Sequence, residues 1–390
     1  MHADIRAGAN AAPAYRPLGT FRFVLALLVV AQHFTNIGPE AFNGAVAPLG
    51  LGSLAVLVFF AVSGFVIAEA IETFYRGRAG AFLTNRAIRI FPPLLATLAL
   101  SLAVYALLFR LGPVASPDAL GAGMLDASIL SLSNIAGNIA AMVPGMKMLG
   151  FREDFTFVAV AWSIRTEFLF YFVMAAALLL PGRWYRPALV LIAVAASVGF
   201  VVHIAGRGPE TLRFVPYFVF GVAAYYALAG QRIALGLLTL ASLGCVVEFV
   251  TSPVMQIPAL IAAYGPIPVD ARFALLVGLM AAIPLLAILS AGRFERIDRV
   301  LGDLSYPVYL NHCVVLPAVR TLLPDLGMAG LAAVTLYALA LSYVMYALIE
   351  PGLIGLRNRV RRASTATAAP AFIPATAAND NRGLARKIPA

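Results

Sequence analysis

The chain has 390 residues, 62% of them hydrophobic and only 12% charged, and its mean hydropathy is +0.90. Soluble domains run about 45–50% apolar and about 25% charged, so these proportions exclude an ordinary water-soluble globule. The net charge is +10, from 28 Lys and Arg against 18 Asp and Glu; with no Arg- and aromatic-rich RNA module in view, that excess fits the cytoplasmic loops of a membrane protein better than a nucleic-acid partner.

In chain order, residues 1–20 are polar and lack a small-residue cleavage site behind a short apolar core. They read as a cytoplasmic N-terminal segment before a retained first span, not as a signal peptide. Apolar runs then recur at about 21–37, 50–70, 88–110, 158–180, 188–205, 212–229, 233–250, 272–291, 304–323 and 328–350. Each is near the roughly 20 residues that cross a hydrocarbon core of about 30 Å. The expected fold is therefore all-α, a polytopic transmembrane helix bundle of about ten spans, with 21–355 as one membrane domain. Residues 125–149 mix Ser, Asn, Gly and Met and suit a re-entrant or cavity-lining helix. Residues 254–266 are short, apolar and Pro-bounded, as in a loop or half-helix. Residues 356–390 read as a basic, disordered tail, Ala/Thr/Pro-rich from about 363. Cys245 and Cys313 both fall in apolar segments and make no disulfide framework.

Alternating the spans from a cytoplasmic N-terminus gathers Arg6, Arg16, Arg76, Arg78, Arg86, Arg183, Arg186, Arg232, Arg293, Arg296, Arg299 and the 357–362 arginines on the inner side. The outer segments hold Arg110, Lys147, Arg152 and Arg207 among Glu40, Asp118, Asp126, Glu153, Asp154, Glu210, Asp270 and Asp325. Both termini are then cytoplasmic by the positive-inside rule.

Ionisable residues within spans are costly and mark function by default. In "FRFVLALLVVAQHF" (21–34), Arg22 and His33 lie eleven residues apart, about 16 Å or three turns along one helix face. Arg22 is either a snorkelling interface anchor or a contact for an anion; His33 is either a packed polar group or a proton acceptor with a pKa near working pH. In "NRAIRIFPP" (85–93), Arg86 and Arg89 share a helix face and suit bidentate phosphate binding, or simply decorate the inner side. "AWSIRTEFLFYF" (161–172) places Trp162 at the outer interface belt and Arg165 and Glu167 in the apolar run. Glu167 either forms a buried salt bridge, to Arg165 or another helix, or works as a carboxylate; it could also pair with His33 and hold its tautomer. In "LGDLSYPVYLNHCVVLP" (301–317), Tyr309 and His312 either bind helix to helix or serve the chemistry. Ser63 and Gly64 in "FFAVSGFVIAEAI" (59–71) permit close backbone approach, and Glu350 before Pro351 suits pairing with a tail arginine.

Together these stretches resemble the membrane acyltransferase-3 family. The resemblance covers roughly 15–355 and rests on Arg22 with His33 in span one, Ser63-Gly64-Phe65-Val66 in span two, Arg86 and Arg89 opening span three, Trp162, Ser163 and Glu167, and the run from Ser305 to His312. It implies an enzyme of the inner membrane that moves an acyl group, acetyl as the expected one, from cytoplasmic acyl-CoA to a sugar hydroxyl of an exopolysaccharide, lipopolysaccharide or lipid-linked glycan. It further implies His33 as the catalytic histidine, Arg22 as its essential partner and Glu167 as the functional carboxylate. Arg86 and Arg89 would contact the CoA phosphates, with Ser63 beside them, while Trp162, Ser163, Arg165, Tyr309 and His312 serve substrate or structural-polar roles. No metal and no permanently bound cofactor is expected; expected partners are acyl-CoA, the glycan, the bilayer and polysaccharide-biosynthesis proteins. The competing reading is a flippase or proton-coupled transporter of a lipid-linked sugar, which the same intramembrane His, Glu and Arg would serve. Against it stands the lack of paired repeats with matching broken helices.

Overall fold

The computed structural model describes residues 16–117, 123–146, 150–151, 153–252, 268–289 and 292–366. The segment 254–266, the residues Asp118, Lys147 and Arg152, and the tail beyond 366 lie outside the described residues. The helices are α1 Leu18–Phe34, α2 Glu40–Val46, α3 Leu51–Ala70, α4 Ala79–Leu111, α5 Leu132–Ala141, α6 Ala161–Leu178, α7 Gly182–Ile204, α8 Val215–Leu228, α9 Arg232–Thr251, α10 Val269–Ala287, α11 Glu295–Leu322 and α12 Met328–Ala366. The strand content among the described residues is one two-residue antiparallel pair, Val114–Ala115 with Met124–Leu125.

Among the described residues, eight helices are long and apolar enough to cross a membrane. To these α1 adds a shorter apolar helix, and α11 a 28-residue helix with more charge. The bundle has an arginine-rich end and an opposite end. At the first, Arg16 pairs with Glu69 at 2.7 Å and Tyr226 donates to Glu72 at 2.7 Å. At the other, Asn36 donates to the Pro117 carbonyl at 3.1 Å, and Arg213 pairs with buried Glu248 at 2.9 Å.

Two contacts set the core. The first-turn N–H groups of Gly19 and Thr20, which a helix cannot satisfy internally, donate to the Asp298 carboxylate of α11 at 2.9 and 2.7 Å. There Gly19 and Gly302 meet so closely that a Cβ on Gly302 would lie 2.8 Å from the Gly19 Cα. In the second contact, Gly64 of α3 faces the Phe218 carbonyl of α8 while Gly221 of α8 faces the Ala61 carbonyl of α3. Between helices in lipid, small residues of this kind supply van der Waals packing that apolar burial does not. The close approach anticipated at Ser63-Gly64 is therefore made, with α8 as the neighbour.

Several boundaries differ from the apolar runs. Helices α4 and α11 begin about nine residues before their hydrophobic stretches; in α11 the first-turn Asp298 is held by the Gly19 and Thr20 N–H groups rather than by lipid. Among the described residues of 125–149, the α-helix is the ten-residue α5, preceded by a 3-10 turn at Ala127–Leu130 and anchored where Asn134 and Asn138 bond the backbone of 154–157. Residues 356–366, expected to be disordered, continue α12 straight through Pro351. Asn85 donates to the Arg357 carbonyl at 3.1 Å and Arg357 pairs with Glu350 at 2.9 Å, which ties this extension to α4. The pairing anticipated for Glu350 with a tail arginine is thus present.

Candidate functional site

A cavity of about 100 Å³ lies between α1, α3, α4, α6 and α11. Arg22, Arg86 and Arg89 line it towards the arginine-rich end; Ser63, Glu167 and Tyr171 stand beside them, and Ser163, Tyr306 and Tyr309 line it further on. None of the three arginines has a carboxylate within ion-pair distance among the described residues. Arg86 is 7% exposed, its Nε is a buried donor without an acceptor, and its guanidinium rests against the rings of Phe82 and Tyr171. Burying a guanidinium without a counter-charge is strongly unfavourable. With half-buried Arg22 and Arg89 on the same cavity, the site concentrates positive charge and suits an anion.

The carboxylate already present does not fill that role. Glu167 Oε1 accepts from Tyr171 at 2.5 Å and from Ser63 Oγ. Tyr171 is one turn along the same helix face from Glu167, so the i,i+4 spacing in "EFLFY" signals this pair. The expected Glu167–Arg165 salt bridge is absent. Arg165 turns from the cavity to the Ala141 carbonyl at 3.3 Å and reaches Glu153 at 4.0 Å. Positions two apart on a helix project about 200° apart, so Arg165 and Glu167 cannot share a face. Trp162, 41% exposed, packs near Phe60 and Phe214 at the end opposite the arginines.

Farther up, Ser163 Oγ and Tyr309 Oη meet at 2.6 Å, and Phe59 sets its edge on Tyr309. One turn beyond Tyr309, fully buried His312 contacts His33: His33 Nδ1 and His312 Nε2 are 2.6 Å apart. His33 sits in the last turn of α1 and is half-buried. Its pairing with Glu167 does not occur. Gln32 packs on Gly52 of α3, whereas Glu167 bonds Ser63, eleven residues along α3, about 16 Å away on the helix axis. His312 takes the place anticipated for the carboxylate.

His33, His312 and Cys313 also form a group whose candidate ligand atoms lie within 4.8 Å of one another. Two imidazole nitrogens 2.6 Å apart are closer than two ligands of one ion at about 2.0–2.1 Å each in tetrahedral geometry. That contact suits a shared proton, not a shared metal.

Two residues stand next to the site, Arg357 outside the motifs and Asn311 within the run from Ser305 to His312. Arg357 of α12 lies within the field of Arg89 and Arg86 and pairs with Glu350 at 2.9 Å. Asn311 accepts from Thr97 at 2.8 Å beside His312 and ties α11 to α4. The seven-residue spacing of Glu350 and Arg357, two helical turns, was the available signal for the first.

Residues 18–347 match the family model described as an acyltransferase domain. No curated protein and no solved structure matches the chain.

Proposed function

We propose, for a chain that belongs to the acyltransferase-3 family, that this membrane acyltransferase is an O-acyltransferase drawing an acyl group, acetyl as the expected one, from a cytoplasmic acyl-CoA. The acceptor in this reading is a sugar hydroxyl of an exopolysaccharide, lipopolysaccharide or lipid-linked glycan, and the setting is the inner membrane. The observation that carries it is the set of three arginines, Arg86 buried and Arg22 and Arg89 half-buried, without a carboxylate in ion-pair distance among the described residues, around a cavity whose far lining, at Tyr309, lies one turn from a histidine pair.

In this reading Arg86 and Arg89 hold the donor's phosphates by charge-assisted, fork-like bonds, with Arg22 lining the same cavity. The cavity, at about 100 Å³, is well below the roughly 300–1,000 Å³ of sites that enclose a drug-sized ligand. It suits the slender arm of the donor, with the nucleotide left at the arginine mouth. The Ser63–Glu167–Tyr171 group positions the neighbouring cations and keeps the carboxylate from neutralising them. His33 accepts the proton of the acceptor hydroxyl as its oxygen attacks the thioester carbonyl. The C–S bond breaks, and the proton returns to the departing thiolate. A covalent acyl–His33 route has the same stoichiometry.

The test uses inverted membrane vesicles supplied with acyl-labelled acetyl-CoA, following label into glycan. Label that requires both the protein and His33 supports the reading, and His33→Ala should abolish transfer with normal expression and folding. Vesicles that hold folded protein and acceptor yet never transfer label would favour the transporter. Full transfer by His33→Ala would move the chemistry elsewhere.

A further inference from the structure

The contact between the two histidines fixes more than their proximity. The ring centroids are 4.9 Å apart with an interplanar angle of 15°, and the contacting nitrogens are 2.6 Å apart. The centroid separation exceeds the nitrogen contact by about the two ring radii, the most that it can. The imidazoles therefore lie nearly in one plane and meet end to end, the geometry of a linear N–H···N hydrogen bond.

The direction of that bond follows from the far side of His312. Its Nδ1 lies 3.2 Å from the Val308 carbonyl oxygen, one turn back in α11. A carbonyl oxygen can only accept, so the proton of neutral His312 resides on Nδ1 and Nε2 carries a lone pair. That lone pair faces His33 Nδ1, which must donate. His33 is then protonated at Nδ1, and its basic nitrogen is Nε2, on the edge of the ring remote from His312. Cys313 Sγ, 3.4 Å from the same His312 nitrogen, is a weak donor whose best effect is secondary to a 2.6 Å contact.

We infer that His312 is a positioning residue: the Val308 carbonyl–His312–His33 chain fixes the tautomer of His33 so that Nε2 is its proton acceptor or nucleophile. This inference rests on the acyltransferase reading for its kinetic consequence and on geometry alone for the tautomer. It holds for direct transfer and for the acyl-histidine route, since each begins with a lone pair on His33 Nε2. When Nε2 takes the hydroxyl proton, the His33–His312 bond becomes charge-assisted and stronger, which favours the imidazolium as it forms. His33 lies in the last turn of α1, where the helix macrodipole favours positive charge as well. The logic is that of a carboxylate behind a catalytic histidine, with a carbonyl and a neutral imidazole in the carboxylate's place. A neutral partner suits the interior of a membrane domain because it avoids burying a second charge.

The structural test needs no turnover. Nitrogen-15 solid-state NMR on histidine-labelled protein in lipid vesicles distinguishes a protonated ring nitrogen from an unprotonated one. The chain has four histidines, and the signals lost in His33→Ala identify those of His33. We expect Nδ1–H and a bare Nε2 on His33 near neutral pH; Nε2–H on His33 overturns the inference whatever the activity. The kinetic test compares His312→Phe, which keeps a ring but offers no acceptor, with His312→Gln, whose amide oxygen can accept from Nδ1. His312→Phe should lower kcat by roughly 10²-fold, as loss of such orienting partners does, with KM for the donor within twofold. His312→Gln should recover most of that loss. Equal loss in both variants, with each folded by gel filtration and thermal unfolding, overturns the positioning role, as does wild-type kcat in His312→Phe. If the wild type transfers no acyl group at all, the acyltransferase reading fails, and the NMR result still decides the tautomer.

Discussion

Truncating Arg86 separates a binding role from a structural one, because the two predict opposite signs for stability. In the ligand-free protein the Arg86 guanidinium is buried, its Nε lacks an acceptor, and no carboxylate pairs with it among the described residues. Arg89 and Arg22 line the same cavity, so like charges crowd the site. Replacing Arg86 by Ala should therefore raise the unfolding temperature of the free protein, or leave it unchanged, despite the lost packing on Phe82 and Tyr171. With donor bound, each charge-assisted hydrogen bond to phosphate contributes about 1.5–3 kcal/mol. Losing one corresponds to a rise in donor KM of roughly 10- to 150-fold, at about 1.4 kcal/mol per decade. The assay pairs thermal unfolding in detergent, with and without CoA, with donor titration in inverted vesicles. Wild type should be stabilised by CoA and the variant much less so. Marked destabilisation of free Arg86→Ala, with an unchanged donor KM, would refute the anion-site reasoning and make Arg86 structural.

Substitutions at three further positions test the frame around the site. Gly221→Ala places a methyl inside the Ala61 carbonyl contact and 2.7 Å from the Phe65 nitrogen, so α8 must move off α3; a destabilisation of about 1–3 kcal/mol should appear as a lower midpoint in reversible unfolding. Asp298→Ala strips the acceptor from the Gly19 and Thr20 N–H groups and should cost about 1–2 kcal/mol. Asp298→Asn, which keeps an acceptor oxygen, should lose less, as the same unfolding measurement would show. Arg165→Ala should leave donor KM and kcat within about twofold, since Arg165 faces Ala141 and Glu153 rather than the cavity; a large kinetic loss would return it to the active machinery.

How much of this was legible beforehand depends on the range of each signal. Hydropathy and the segregation of arginines carry the helical membrane class, because both are set by the lipid solvent and need no tertiary knowledge. The clustering of Arg22, Arg86, Arg89, Ser63 and Glu167 could be expected only from the ordered set of motifs. No spacing within one helix says that α1, α3, α4, α6 and α11 surround a single cavity. The assignment of partners was where local reasoning failed. Glu167 and Arg165 are close in sequence but lie on different faces, while Glu167 and Tyr171 are four apart and meet. His33 and His312 are 279 positions apart, and their pairing comes from the packing of α1 on α11 at Gly19, Gly302 and Asp298. The extension of α12 was hidden for another reason: residues 356–366 are too polar for a span, and their helix depends on Asn85, Tyr75 and Glu350.

In the proposed reaction, the eleven-position separation of Arg22 and His33 acts as a ruler for the donor. A straight helix sets them about 16 Å apart, and the cavity beside Arg22 is only about 100 Å³. A donor that engages the arginines and also brings its acyl carbon to His33 must carry that carbon on a long, thin arm remote from its phosphates. Acetyl phosphate cannot do so, and should give no transfer. A truncated thioester such as S-acetyl-N-acetylcysteamine can reach His33 but leaves the arginines empty. Binding energy from remote phosphates then no longer holds the reacting carbon in place. Losing two to three charge-assisted bonds, about 3–9 kcal/mol before any compensation by water, should lower kcat/KM by at least roughly 10²-fold. Coupling gives the sharper test. If Arg86 acts on the donor's phosphates, Arg86→Ala should slow transfer from acetyl-CoA and leave transfer from the truncated thioester nearly unchanged. An equal fractional loss with both donors would mean that Arg86 supports the His33 region through the fold, and the ruler would then measure nothing about the donor.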